Sequence, residues 1–331
     1  MMKCFSRPIF LSGIKSLAML AMVFGLAVDA NAQSLVTTVV VDDDFNDGNP
    51  DVTGDGSAAE SPFFTSTSTS ALDSTTTGSG VLDFATGTAG RGIHTIFAPQ
   101  TLGAVGDVIE AHFTFNTPMS VSAGGDDFRF GLFDTSTSPG FSNTAENSAG
   151  FAGDIGASTD TPETGLNIAG FTGEFDINDG GGENFQFRYH DLTAATGRFL
   201  GTTSGFANIG SGTDSGLDLG ATPASTNGLV ATLSIELLAG GEVELVTTYL
   251  GESFTTTTDV ANTGTTFDLL AFQVTSDSFG IAAANGEPNN GADFDNVQVK
   301  FSTLETAVIP EPSSLALLGL FGCAGFMRRR R

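Results

Sequence analysis

Three carboxylates in the segment EFDIND are spaced in a way that would allow acid–base chemistry. Glu174 and Asp176 are two positions apart, so both side chains would lie on one face of a β-strand. A bulge after them would bring Asp179 round to the same side. Two carboxyl groups on either side of a glycosidic bond are what retaining hydrolysis requires. The segment is therefore a candidate site for sugar hydrolysis.

The same E-x-D-x-x-E spacing resembles the catalytic motif of laminarinase-type glycosidases. Here the third position is Asp179 rather than glutamate, and the shorter side chain would miss the spacing of that family. The chain contains no tryptophan to stack against sugar rings, and the segment runs on into three glycines. We therefore predict a non-catalytic protein. A laminarinase-like glycoside hydrolase that uses Glu174, Asp176 and Asp179 is the alternative.

Nucleophilic and thiol catalysis have no support in the sequence. There is no G-x-S-x-G segment, and His94, His112 and His190 lie far apart, without metal-binding spacing. We interpret each histidine as a polar residue on the face of a strand. Cys4 and Cys323 lie in terminal segments that we predict to be targeting signals. The exported part is therefore expected to have neither a disulfide nor a reactive thiol.

The acidic segment DDDFNDGNPDVTGDG carries side-chain oxygens at a spacing used by calcium loops. The candidate ligands are Asp47, Asn49, Asp51 and Asp55. The segment departs from an EF-hand because Val52 stands where glycine is needed and Ala58 where glutamate is needed. Two interpretations stay open, a calcium-binding surface loop and a solvated acidic turn.

A row of polar residues falls on the non-core side of several predicted strands. Its members are His112, Arg129, Gln186, Arg188 and His190. On a concave sheet such a row would hydrogen-bond a glycan or an acidic sugar, with Arg129, Arg188 and Tyr189 as candidate binding residues. Salt bridges from the arginines to nearby carboxylates are the interpretation that we favour. Only Tyr189 and Tyr249 offer amphipathic rings for sugar stacking.

These residues have to be positioned by β-strands, because several segments alternate with a period of two. In DVIEAHFTFN, every second residue from Ile109 to Phe115 is apolar and the residues between them are polar. DFRFGLF and NFQFRYH show the same alternation, and FDLLAFQV and FDNVQVKF supply late strands. TLSIEL and EVELV flank Ala239-Gly240-Gly241, a turn of the hairpin type. The pattern predicts an all-β fold, an antiparallel β-sandwich of two sheets.

Composition and charge predict one exported domain over residues 33–307. Between Gln33 and Ile309, five cations face 36 acidic residues, so the formal net charge of this core is −31. That charge repels nucleic acid and anionic membranes and favours solubility and divalent cations. The low-complexity stretch Thr65–Gly80 is predicted to be a surface loop or edge strand, with O-glycosylation as an alternative.

Segments near the two ends of this core resemble the first and last strands of concanavalin-like jelly rolls. They are DDDFNDG and FDNVQV, and FDNVQV also resembles carbohydrate-binding modules of the galactose-binding-like type. The resemblance implies that the chain ends meet and that Asp295 binds calcium there, with Asp44 approaching from the first strand. The apolar parity slips between Phe294 and Val297, which predicts a bulge at Asp295–Asn296.

The N-terminus has the pattern of a secretory signal. Lys3, Arg7 and Lys15 form a basic region, SLAMLAMVFGLAV is apolar, and ANA before Gln33 has the small-x-small form of a cleavage site. We predict a signal helix over residues 1–32. The Sec machinery would export the chain and signal peptidase would remove this segment.

The C-terminus, residues 308–331, combines a proline break, an apolar run and a basic end. Pro310 and Pro312 cannot lie in a helix interior. The uncharged run Ser313–Met327 would form a helix of roughly 22 Å, shorter than a ~30 Å hydrocarbon core. The arginines after it can snorkel to the headgroups and favour the cytoplasmic side. They are Arg328, Arg329, Arg330 and Arg331.

The order Pro310-Glu311-Pro312, apolar segment and arginine cluster resembles the PEP-CTERM sorting signal of exported bacterial proteins. The resemblance implies transient anchoring in the inner membrane by a short transmembrane helix. It also implies processing at the PEP site by an exosortase-type membrane protease and delivery to the cell surface or extracellular matrix. We predict a structural or adhesive protein there, with weak binding of exopolysaccharide and no nucleic-acid partner.

Overall fold

The computed structural model shows a β-sandwich. It describes residues 33–45, 63–65, 72–73, 82–85, 91–117, 127–135, 168–176, 185–190, 206–212, 226–249, 251–261, 263–274 and 291–306. Val36–Thr303 forms one compact unit, and Met1–Leu35 with Leu304–Arg331 forms another. Of the second unit only residues 33–35 and 304–306 are described, so the predicted signal helix and membrane helix lie outside the described residues.

The described residues form strands and turns, and none of them belongs to a helix that could cross a membrane. In chain order the strands are β1 (Gln33–Asp43), β2 (Phe63–Thr65), β3 (Leu72–Asp73), β4 (Leu82–Ala85), β5 (Arg91–Thr101), β6 (Val108–Thr117), β7 (Asp127–Asp134), β8 (Ala169–Asp176), β9 (Phe185–His190), β10 (Phe206–Gly212), β11 (Thr226–Leu237), β12 (Glu242–Tyr249), β13 (Glu252–Asp259), β14 (Thr266–Val274) and β15 (Gly291–Thr306).

The strands pair into two sheets. Sheet A has eight strands in the order β13-β12-β11-β6-β15-β4-β3, with β1 also pairing with β15. Sheet B has seven strands in the order β10-β9-β8-β7-β14-β5-β2. The registers along both sheets are antiparallel. The predicted all-β, two-sheet antiparallel sandwich is confirmed.

Phenylalanine rings fill the space between the sheets. On β6 the apolar side chains from Ile109 to Phe115 are fully buried, as the alternation of the sequence predicts. Phe113 of sheet A meets Phe128, Phe130 and Phe272 of sheet B edge-on, with ring centroids 5.0 to 5.7 Å apart. Burying a side chain of this size stabilises a fold by about 1.5–3 kcal/mol, and edge-on aromatic contacts add to that.

Glycines make the turn and the close contacts that the sandwich needs. Gly240 and Gly241, with φ of 95° and 84°, form the predicted turn between β11 and β12, because other residues rarely adopt these angles. At one side of the sandwich, strands β10 and β13 approach each other. A Cβ on Gly212 would lie 2.0 Å from the ring of Phe254, so only glycine fits there. The Thr256 hydroxyl donates a 3.3 Å hydrogen bond to the Ile209 carbonyl across the same contact.

The last strand of the domain lies inside sheet A rather than at its edge. β15 pairs with β6 on one side and with β4 and β1 on the other. Thr37 contacts Ser302, and the side chain of Gln298 donates to Asp42 Oδ1 at 2.6 Å, so β1 and β15 run antiparallel. The first and last strands are therefore neighbours, as the jelly-roll resemblance implies.

Sheet B is buried on both faces, whereas sheet A is open on one. The face of sheet B turned away from sheet A is called its outer face here. A second apolar cluster lies on it, formed by Phe133, Ile168, Leu269 and Ala271. All four residues are fully buried, and Ile96 and Phe206 pack against them. The corresponding outer face of sheet A carries half-buried and exposed side chains.

Candidate functional site

The carboxylate of Glu174 lies on the outer face of sheet B, between two arginines. Register pairs Arg129 of β7 with Glu174 of β8, and Glu174 with Gln186 of β9. Oε2 of Glu174 accepts hydrogen bonds from Nε of Arg129 at 2.9 Å and from Nε of Arg188 at 3.2 Å. Alternation along each strand turns these polar residues away from the phenylalanines of the core. The triad of Arg129, Glu174 and Arg188 is called the ion-pair cluster below.

The ion-pair cluster is largely removed from solvent. The side chains of Arg129 and Glu174 are each 8% exposed, and that of Arg188 is 14% exposed. Nη2 of Arg188 also donates to the side-chain oxygen of Gln186. Buried charges have to be paired and hydrogen-bonded to offset their desolvation, and this arrangement does both. The favoured interpretation of the two arginines as salt-bridge partners agrees with these contacts.

The structure brings some members of the other predicted groups together and separates others. Asp176 ends β8 and Asp179 lies outside the described residues, so the geometry of the predicted catalytic trio is described only at Glu174. Tyr189, a candidate sugar-binding residue, lies opposite Phe171 and packs against the core, whereas its neighbour Arg188 faces outward. These residues therefore do not form one surface. Tyr249 is also in the core, where it stacks on Phe175 at 4.2 Å.

The predicted polar row does not lie on a single sheet. His112 belongs to β6 of sheet A, while the other members belong to β7 and β9 of sheet B. His190 is buried, its Nδ1 is hydrogen-bonded to the Ile168 carbonyl, and its ring packs on Phe206. His94, on the outer face of sheet B, is also buried, and burial lowers its pKa to about 3. It is therefore neutral at physiological pH.

The bulge predicted at Asp295–Asn296 is present, and it determines where Asp295 points. The register of β15 on β6 shifts between Phe294 and Asn296. The amide of Asn116 donates to both carboxylate oxygens of Asp295, at 2.9 and 2.8 Å. The carbonyl oxygen of the same amide accepts from the Gly228 backbone at 2.6 Å. Asp295 thus ties β15 to β6 at the bulge.

The ligand sets predicted for calcium are only partly within the described residues. Asp44 is exposed at the end of β1, and the amide of Asn116 already faces Asp295. The loop ligands Asp47, Asn49, Asp51 and Asp55 lie outside the described residues. Among the residues that are described, no group of three or more histidine, cysteine, aspartate or glutamate side chains is placed to hold a metal ion. Calcium binding stays a prediction.

A second bulge, not predicted from the sequence, holds a buried carboxylate. The register of β14 on β5 shifts between Phe267 and Leu269, at Asp268. Asp268 accepts from the backbone and the hydroxyl of Thr135, both at 2.8 Å. Burial raises the pKa of Asp268, and the two hydrogen bonds oppose that shift. The signal that could have revealed it was the polar residue inside the apolar run FDLLAF.

The sequence analysis also missed a polar row on the outer face of sheet A. Register places side chains from neighbouring strands directly opposite one another. In order across the sheet they are Gln298, His112, Thr232, Thr248 and Ser253. The first four are half-buried and Ser253 is exposed. Their alignment depends on strand order, which no local pattern encodes.

Comparison with known structures finds lectin domains at low similarity. The basic winged bean lectin is 13% identical, over 82% of this chain and 99% of that chain, with a TM-score of 0.38. The lectin from Bauhinia forficata in complex with GalNAc is 12% identical, over 81% and 98%, with a TM-score of 0.36. The Ca²⁺-bound VIP36 exoplasmic/lumenal domain is 11% identical, over 79% and 88%, with a TM-score of 0.40. The fold assignment rests on the strand order and register given above.

No curated protein matches the chain. The PEP-CTERM protein-sorting motif matches residues 308–331, the segment in which the sequence predicts it. That motif implies export, membrane-associated sorting to the cell surface and processing by an exosortase. The chain therefore carries a PEP-CTERM sorting motif after an antiparallel β-sandwich.

Proposed function

We propose that this chain is an exported, non-catalytic protein of the cell surface or extracellular polymer matrix. Its β-sandwich has a structural or adhesive role and binds glycans weakly. The observation that carries the proposal is the sorting motif at residues 308–331, which is typical of exported proteins. The formal charge of −31 on the core supports a soluble extracellular role and argues against nucleic-acid partners.

The proposal divides the chain into three parts. Residues 1–32 are the signal peptide, which the Sec machinery and signal peptidase process. Residues 33–307 are the functional sandwich. Residues 308–331 hold the protein transiently in the inner membrane, with Pro310-Glu311-Pro312 outside and the terminal arginines on the cytoplasmic side. An exosortase-type protease then releases the protein to exopolysaccharide at the surface.

The contacts of Glu174 argue against hydrolysis. A catalytic carboxylate has to contact the sugar bond, either as an acid or as a nucleophile. Glu174 instead directs one oxygen at two guanidinium groups, at 2.9 and 3.2 Å, and its side chain is only 8% exposed. A carboxylate so engaged has a structural partner set of its own.

Hydrolysis is tested by measuring reducing-sugar release from a panel of β-glucans. We expect no release above the rate without protein. Release that disappears in the variant Glu174→Gln, with the fold retained, would replace the proposal by the laminarinase-like alternative.

Sorting is tested by intact-mass analysis of the protein from the surface and inner-membrane fractions. We expect a surface species that begins near Gln33 and ends near Pro310–Pro312. A chain that still ends in Arg331 and is confined to the inner membrane would contradict processing.

A further inference from the structure

The outer face of sheet A is the broad polar surface of the described domain. On β13 at its edge, Ser253, Thr255 and Thr257 are exposed. The residues of the central strands on this face are half-buried, as expected for side chains that stand beside neighbours on an uncovered sheet. On the outer face of sheet B, in contrast, Glu174 and Phe133 are buried. A large ligand can therefore reach sheet A but not the described centre of sheet B.

Five polar, uncharged side chains cross this open face in one line. Each comes from a different adjacent strand, from β15 through β6, β11 and β12 to β13. They are Gln298, His112, Thr232, Thr248 and Ser253, called the polar row below. Neighbouring strands are about 4.7–4.9 Å apart, so the polar row spans roughly 19 Å perpendicular to the strands. This repeat is close to the length of one sugar unit in an extended polysaccharide.

We propose that the polar row binds a linear, neutral polysaccharide that lies across the strands with about one sugar per strand. The inference rests on the proposed glycan binding and names its site and its ligand class. Hydroxyl, amide and imidazole groups can each donate to or accept from sugar hydroxyls. A straight row lets one chain contact all five groups without bending.

Local hydrogen bonds hold the polar row in place. The hydroxyls of Thr232 and Thr248 are 2.6 Å apart, so each fixes the other. The amide of Gln298 is fixed by its 2.6 Å hydrogen bond to Asp42. At the centre, Nδ1 of His112 has no hydrogen-bond partner within the described residues. Buried polar atoms without a partner are uncommon, and this one points to a missing ligand or to a ring rotation that a ligand completes.

The charges beside the polar row exclude acidic polymers. In the next row Glu110 lies opposite Lys300, so that pair is balanced. Beyond it Glu236 and Glu244 face each other directly across β11 and β12. An anionic polysaccharide would meet these carboxylates and the net negative charge of the core. A neutral polymer meets neither penalty.

The test measures binding of the full-length chain, purified in mild detergent, by affinity electrophoresis. The gels contain hydroxyethylcellulose, galactomannan or polygalacturonate. We expect retardation in at least one neutral polymer and none in polygalacturonate. The variant Thr232→Val removes one hydroxyl of the polar row and should weaken binding about fivefold, since a net hydrogen bond is worth about 1 kcal/mol. Combining Thr232→Val with Gln298→Leu should abolish detectable retardation.

A matched control makes the same chemical change away from the polar row. Thr101 and Thr266 also form a hydroxyl pair, 3.0 Å apart, at the end of β5 and the start of β14. Thr101→Val should leave binding unchanged. Melting curves of each variant identify any that fail to fold, and for such a variant Thr248→Ser keeps the hydroxyl and should keep binding.

The outcomes separate this inference from the proposed function. Binding of a neutral polymer that is weakened equally by Thr101→Val and Thr232→Val would overturn the polar row and leave glycan binding in place. Preferential binding of polygalacturonate would overturn the neutral ligand class. If the wild-type chain is not retarded by any polymer, both the inference and the glycan-binding part of the proposed function are wrong.

Discussion

Replacing Glu174 by glutamine tests whether the ion-pair cluster is structural. The change keeps the shape of the side chain and removes the negative charge that Arg129 and Arg188 face at 2.9 and 3.2 Å. Removing one partner of a buried pair costs about 3–5 kcal/mol, because the remaining charge is left uncompensated. The side chains of the cluster are at most 14% exposed, so solvent screens this loss only weakly. For a domain of this size, about 2–4 °C per kcal/mol gives a fall in melting temperature of roughly 6–20 °C.

The assay is thermal unfolding followed by circular dichroism at neutral pH. Glu244→Gln is the matched control, because it removes a carboxylate that faces Glu236 across the open side of sheet A. There the loss of a like charge should leave stability unchanged or slightly improved. If Glu174→Gln melts with the wild type, the reasoning that the cluster stabilises the fold is refuted. Unchanged melting together with lost β-glucan hydrolysis would assign Glu174 to catalysis.

Three further perturbations test other parts of the structure. Acidification should destabilise the domain, because burial lowers the pKa of His94 to about 3 and only the unfolded state protonates between pH 6.5 and 3. At about 1.4 kcal/mol per pKa unit the full loss is on the order of 5 kcal/mol, and His94→Gln should flatten the curve measured by urea unfolding. Asp268, whose pKa is raised, acts in the opposite direction. Phe113→Ala should cost about 3–5 kcal/mol in the same assay, and a loss under about 1 kcal/mol would contradict the packing described. Millimolar calcium should raise the melting temperature, by up to about 2.7 kcal/mol of stability at a hundredfold excess, and magnesium should raise it less. Asp295→Asn removes that gain if the ion joins the chain ends, Asp51→Asn if the acidic loop binds it, and identical melting in EDTA would exclude both.

Local sequence pattern determines the strands, and it predicts them well. On β6 the period of two separates the buried side chains from Ile109 to Phe115 from their polar neighbours. The slip of parity between Phe294 and Val297 correctly locates the bulge in β15. Both features follow from the alternation of side chains along a single strand. No knowledge of the partner strand is needed for them.

Strand order and layering could not be predicted, because they depend on distant parts of the chain. His112 and Arg129 both alternate with buried phenylalanines, yet they lie on different sheets. Burial of both faces of sheet B is also hidden, because Phe133 and Leu269 occupy outward positions where simple alternation predicts polar residues. The polar row of sheet A exists only because β15, β6 and β11 are neighbours. Pairing between residues more than a hundred positions apart leaves no local periodic signal.

The position of β15 links the fold to the sorting motif. Phe294, Val297 and Val299 of this strand are fully buried, and β15 pairs on both sides within sheet A. The sandwich can therefore be completed only after the last strand before the motif has been exported. Cleavage within β15 would remove a central strand and expose the apolar residues on β6 that it covers. A protease that releases a folded domain must consequently cut after Thr306, and Pro310-Glu311-Pro312 meets that requirement.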